Sequence, residues 1–118
     1  MQFVRVKNVA ELDYHIAQAK GKIVMLDLYA DWCVLCKEME RYTFSDISIQ
    51  AKLKNAVLLR ANVTANSEDD KALLQCLQLF GPPSSLFFDT QGKEMPDFRV
   101  NGYKDAKEFA QSLQAVGL

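Results

Sequence analysis

Two stretches limit the possible folds of this chain more than anything else in it: KIVMLDLYA (Lys22 to Ala30) and AVLLRANV (Ala56 to Val63). Their apolar residues are consecutive rather than alternate. A strand of that kind must be covered on both faces, which reads as a place in the middle of a parallel sheet with helices packed above and below. The segments around them supply those helices. Asn8 is placed to cap VAELDYHIAQAKG, with Val9, Leu12, Ile16 and Ala19 at helical spacing and Gly21 closing the helix. A second helix is expected to start at a cysteine pair and run through VLCKEMERY, and Ser45 to restart helix in SDISIQAKLKN. Ser67 and Asp70 have the spacing of a capping box ahead of EDDKALLQCLQLF, with Gly81 as its stop. FVRV, SSLFFD and FRVNGY read as further strands, and Asp105 caps a last helix with Ala106, Phe109, Ala110 and Leu113 on one stripe. The order β-α-β-α-β-α-β-β-α predicts one α/β domain over residues 1–118, with a partly parallel sheet and a final antiparallel hairpin.

Composition excludes several classes of function. With a formal net charge of −1 there is no basic excess to recommend nucleic acid. No apolar run is long enough to span a bilayer. The start, MQFVRVKNVAELD, lacks the basic and apolar regions of a signal peptide, so any address outside the cytoplasm is expected to lie in residues outside this chain. Three cysteines are too few for a secreted disulfide scaffold.

Two of those cysteines, Cys33 and Cys36, stand at the junction of an apolar strand and a helix. At that spacing the sulfurs can close a small disulfide ring. Cys33 falls at the helix N-terminus, where unpaired N–H groups and the macrodipole favour a thiolate, so it reads as the nucleophile. Cys36, one turn further in, is better shielded and reads as the resolving thiol. A structural zinc site would need four ligands, and the remaining candidates, Cys76 and His15, lie in other predicted helices without a second paired spacing. Two inert thiols would leave the placement after a strand unexplained. The pair reads as redox-active, Cys76 as a small half-buried hydrophobe beside Leu73, Leu77 and Phe80, and His15 as a surface residue. Asp27 is a carboxylate inside an otherwise apolar strand, a costly position unless the group has work to do.

YADWCVLCKEME resembles the W-C-x-x-C-K site of the thioredoxin superfamily, and the element order fits the thioredoxin fold: a central mixed sheet flanked by helices, here with an N-terminal β-α extension. More narrowly, DLYADWCVLCKEMERYTFSD, LLRANVTANSEDD and SLFFDTQGKE together resemble the C-terminal periplasmic domains of the DsbD family, bacterial inner-membrane proteins that pass electrons from cytoplasmic thioredoxin to periplasmic pathways. The resemblance implies that Asp27 handles the proton of Cys36 and that Glu40 belongs to the active-site surroundings. Two carboxylates near a thiol oppose its ionisation, so Cys33 is expected to be sluggish until a partner docks. Trp32 is implied as a lid over the disulfide and a docking surface, with Tyr29 and Asp31 on the same rim and Lys37 on the helix surface. In FGPPSS the resemblance makes Pro83 the cis-proline packed against the disulfide. The residue before it, which in the family offers N–H and C=O to a docked strand, is here Pro82, without an N–H.

The function implied is a protein-disulfide reductase that relays electrons. Its partners would be the N-terminal periplasmic domain and the transmembrane domain of the same DsbD-type protein. The domain would be monomeric in isolation, periplasmic, and would need neither an organic cofactor nor a metal. Two alternatives remain at this point: a free-standing thioredoxin-like reductant, against which Val34 and Leu35 stand where ordinary thioredoxins carry Gly-Pro, and a non-catalytic binding module that kept the fold.

Overall fold

The computed structural model describes residues 1–118. Five strands, β1 (Val4–Arg5), β2 (Val24–Tyr29), β3 (Val57–Asn62), β4 (Ser84–Phe88) and β5 (Val100–Asn101), form one sheet in the order β1-β3-β2-β4-β5. β1 and β2 both pair with β3 in parallel, whereas β4 runs antiparallel to β2 and β5 antiparallel to β4. The doubly apolar β2 is therefore central, as its composition requires. It is not inside a parallel sheet, however: it marks the seam between the parallel and antiparallel halves. Burial on both faces needs only helices above and below, and the direction of the neighbouring strand leaves no mark on that pattern.

Alternation along β2 sends successive residues to opposite faces. Leu26 and Leu28 join Leu59, Leu86 and Phe88 beneath α1 (Val9–Gln18) and α4 (Glu68–Leu77). Met25 joins Phe87 and Val100 on the other face, beneath α3 (Ile47–Leu53) and α5 (Ala106–Ala115). Between β2 and α3 lie the short α2 (Val34–Glu38) and, directly after it, a π-helical turn from Met39 to Thr43. A plain α-helix was expected through this stretch. Instead the Phe44 N–H donates to the Met39 carbonyl, five residues back, at 2.8 Å.

Local capping explains most helix ends. Asn8 accepts from the Glu11 N–H at 2.8 Å, and both Ser67 with Asp70 and Asp105 with Glu108 form reciprocal capping boxes. Two expected signals act differently. Asp46, not Ser45, caps α3 by accepting from the Ser48 and Ile49 N–H groups, while the Ser45 hydroxyl turns back to the Arg41 carbonyl. α4 stops at Leu77 rather than at Gly81, because Gln78 enters the left-handed region at φ 55°. There the Gln78 N–H donates to Gln75 and the Leu79 N–H to Leu74, which together close a Schellman turn. α1 also ends before its glycine, without a left-handed cap: Ala19 caps the helix at φ −95°, and Gly21, at φ 93°, lies two residues beyond. FRVNGY is only partly strand, since a 3-10 turn over Pro96–Phe98 precedes the two residues of β5.

Candidate active site

The edge of the sheet where β2 ends carries the cysteines. Cys33 is the N-cap of α2, with its Sγ 3.1 Å from the Cys36 N–H that donates to it. The two sulfurs are joined in a disulfide with Cα atoms 5.2 Å apart. Both residues are nearly covered, Cys33 at 7 % and Cys36 at 2 % exposure. Cys36 Sγ lies 3.9 Å from the Leu28 carbonyl oxygen, the acceptor available to it as a reduced thiol. A sulfur in the N-cap position receives a backbone N–H hydrogen bond, which favours its anionic form.

Asp27 is buried in β2 at 4 % exposure. Its neighbour across the ladder is Arg60 of β3, in direct register, whose Nε donates to Asp27 Oδ2 at 2.7 Å. Burial pushes the Asp27 carboxyl from 3.8 up to about 7, against the opposing pull of the Arg60 charge and hydrogen bond; the Glu40 charge adds a smaller upward push. Glu40 is reached by the second edge of the same guanidinium, Arg60 Nη2 pairing with Glu40 Oε1. Asp27 and Glu40 thus share one cation. Across β2 on the other side, buried Ser85 of β4 stands in register with Asp27.

The rim is tied together by residues the sequence pattern left unmarked. Thr64, just past β3, accepts from the Asp31 N–H through its hydroxyl at 2.9 Å and from Trp32 Nε1 through its carbonyl at 3.1 Å. Asn62 in turn holds the Thr64 N–H at 3.0 Å. The Trp32 ring stays 61 % exposed, so it stands at the rim as an open apolar surface. Lys37 is exposed as expected, yet its Nζ donates to the Tyr29 hydroxyl at 2.7 Å and approaches Asp31 at 3.9 Å. The Tyr29 hydrogen bond holds this ammonium above the usual lysine range.

Beside the disulfide, the Pro82–Pro83 peptide bond is cis. A groove of about 410 Å³ runs along it, walled by Leu35, Phe80, Pro82, Pro83 and Arg99. The Pro83 carbonyl accepts from the Gly102 N–H at 2.9 Å, while the Pro82 carbonyl has no partner within the chain. Phe80 departs from expectation: α4 has already ended, and its ring is fully exposed in the groove instead of completing the helix stripe. Cys76 is likewise exposed rather than half-buried, on α4 above a second groove against α1. His15 is half-buried, edge-on to the Tyr14 ring 5.3 Å away. No group of three or more His, Cys, Asp or Glu side chains is placed to hold a metal ion.

A disulfide at the head of a helix, a buried acid on the strand beneath and a cis-proline alongside define a thioredoxin-fold domain for thiol–disulfide exchange. The chain belongs to this thioredoxin-like family, whose model, a thioredoxin-like domain, matches residues 10–117. Within it the relationship is to DsbD: the chain is 54 % identical over 114 residues to the thiol:disulfide interchange protein DsbD of Escherichia coli K12 and 56 % identical over 113 residues to that of Salmonella typhimurium. These alignments cover 97 % and 96 % of the chain but 20 % of each relative. The oxidised C-terminal domain of Neisseria meningitidis DsbD superposes with a TM-score of 0.76 at 30 % identity, covering 91 % of this chain and 90 % of that one. Fasciola hepatica thioredoxin, at 16 % identity and a TM-score of 0.76, shares the fold. The chain is a disulfide oxidoreductase domain of the DsbD type.

Proposed function

We propose that the chain is the electron-relay domain of a larger envelope protein, accepting electrons from cysteines of a membrane-embedded domain and passing them to the N-terminal periplasmic domain of the same DsbD-type polypeptide. The observation that carries this reading is the Cys33–Cys36 disulfide at the head of α2, with a buried, near-neutral acid on the strand that leads into it. That the chain spans 20 % of its DsbD relatives supports partners elsewhere in one longer protein. No helix of the chain is long and apolar enough to cross a membrane, so the membrane-embedded cysteines would belong to another segment.

In the forward direction the Cys33 thiolate attacks a partner disulfide. A Cys33–partner S–S bond forms, the partner bond breaks, and one partner sulfur leaves as thiolate. Cys36 then gives its proton to Asp27 and attacks Cys33 Sγ. The Cys33–Cys36 bond forms, the mixed disulfide breaks, and the second partner sulfur leaves. Two electrons have moved to the partner, carried by the cysteine pair without an organic cofactor or metal. A carboxyl that titrates at about 7 can accept that proton near neutrality and return it in the reverse reaction. Glu40 is the second acid of this site. Trp32, Tyr29 and the groove at Pro82 and Pro83 form the docking face. Because Pro82 lacks an N–H, a docked strand finds only its carbonyl, which favours dedicated partners over generic peptides.

The test is equilibration with glutathione followed by thiol trapping, together with exchange against a DsbD N-terminal domain and against insulin. A potential near the thioredoxin end, roughly −270 to −200 mV, with fast exchange with the cognate domain and poor insulin reduction, is the expected result. A potential near about −120 mV would make the domain an oxidant and reverse the assigned direction. Efficient insulin reduction would favour a free-standing reductant, and no exchange with either substrate a binding module.

A further inference from the structure

Arg60 is the least expected residue in the chain: a cation half-way along a strand that sits between two others. Its surroundings are specific. On β2, Asp27 takes its Nε at 2.7 Å; on the π-helical turn, Glu40 takes Nη2. The guanidinium carbon lies 4.1 Å from the centre of the Phe3 ring and 4.6 Å from that of Tyr29, so the planar group is gripped by two aromatics while its edges face two acids. The π turn matters here. One extra residue per turn changes the azimuth of Glu40 relative to α2, and this is the segment in which Glu40 meets the strand cation. The other ionisable groups on the elements packed around are Arg5, in register beside Arg60 on β1, Tyr29 on β2, Cys36, Lys37 and Glu38 on α2, and Arg41 and Tyr42 on the π turn.

We propose that Arg60 is a positioning residue of the exchange reaction, a two-edged clamp in which Glu40 is the standing counter-ion and Asp27 the exchangeable one. The inference rests on the reading of Asp27 as the proton acceptor of Cys36. When Asp27 takes the proton, Arg60 still has Glu40 and is not left as an unpaired, part-buried cation, a state that is disfavoured. When Asp27 gives the proton up, Arg60 is already 2.7 Å away to receive the charge. Each half of the cycle therefore keeps the cation paired, and the acid can change state without any side chain having to travel. A lysine would meet this demand poorly, since one ammonium lacks two donor edges and the flat face that Phe3 and Tyr29 grip.

The experiment follows the Asp27 carboxyl by carbon NMR through a pH titration of the 118-residue chain with the disulfide intact, so that no thiol titrates alongside. The clamp predicts opposite movements. In Arg60→Met the midpoint rises by about one pH unit or more. In Glu40→Gln it falls, because Arg60 then has Asp27 alone. Arg60→Lys lies between the wild type and Arg60→Met. An unmoved midpoint in Arg60→Met, or a rise in Glu40→Gln, overturns the proposal. Should Arg60→Met fail to fold, Arg60→Lys decides: a raised midpoint supports the clamp and an unmoved one overturns it. The underlying role of Asp27 is read separately, from the exchange rate of Asp27→Asn at pH 7. An unaffected rate there refutes the proton-acceptor reading whatever the midpoints do.

Discussion

Replacing Asp27 by asparagine should stabilise the domain at neutral and alkaline pH and leave it nearly unchanged in acid. The carboxyl titrates at 3.8 ordinarily and at about 7 in the folded chain. Between those values the folded state binds more protons at this site than the unfolded state, so unfolding free energy falls as pH rises. The contribution is fully present below 3.8 and is lost as pH passes through about 7. At 1.36 kcal/mol per pKa unit, the ionised acid costs the fold about 4 kcal/mol at pH 8. Asparagine keeps the size of the protonated acid and an oxygen that can accept from Arg60, and it has no proton to lose. A constant offset of about 1 kcal/mol from the altered hydrogen bond would displace the whole curve without tilting it. The assay is urea unfolding of the oxidised wild type and variant at intervals from pH 4 to pH 8. Only the difference between the two proteins is read, so that other titrating groups cancel. The expected difference grows by up to about 4 kcal/mol across the range, in favour of the variant. A difference that stays flat would show that Asp27 is not held near neutrality, and the account of proton transfer would fall with it.

Cys36→Ser should trap a stable mixed disulfide between Cys33 and its partner, visible on non-reducing gels, whereas Cys33→Ser should yield none, because only Cys33 is placed to attack. Phe109→Ala, which empties a fully buried position on the α5 face, should lower unfolding free energy by roughly 3–5 kcal/mol. Phe80→Ala should change it by less than about 0.5 kcal/mol, since that ring is exposed, and should instead slow exchange with the partner domain. Gln78→Gly should raise stability by up to about 1 kcal/mol in the same denaturant assay by relieving the left-handed backbone at the end of α4.

Which of these features could be read beforehand follows from the range over which each acts. Caps such as Asn8 with Glu11, or Ser67 with Asp70, are three-residue matters, and the letters alone identify them. The cysteine pair is legible for the same reason. Signals that compete locally are harder: Gly81 is the conventional helix stop, but Gln78 reaches the left-handed turn first because Leu79 can then lie against the core beside Leu74. That choice frees Phe80 from the helix stripe and leaves it in the groove beside the cis-proline. The exposure of Phe80 is thus the consequence of a turn two residues earlier.

Arg60 shows a different kind of limit. Arg60 in AVLLRANV is, like Asp27, a charge inside an apolar strand. The register that sets the two opposite each other is not local, because it depends on how β3 pairs with β2 across 33 positions of sequence. Two charges in two doubly apolar strands still carry information together. Each alone is expensive to bury, and the least costly arrangement of a sheet that contains both is the one in which they meet. On that view the pairing of Asp27 with Arg60 helps to set the register of the central strands, and the chemistry uses an ion pair that the fold already required. In the proposed clamp Glu40 is the element added for function, since neither strand needs it. It lies on the π turn, the one place where the helix departs from its ordinary geometry, and there it joins the pair.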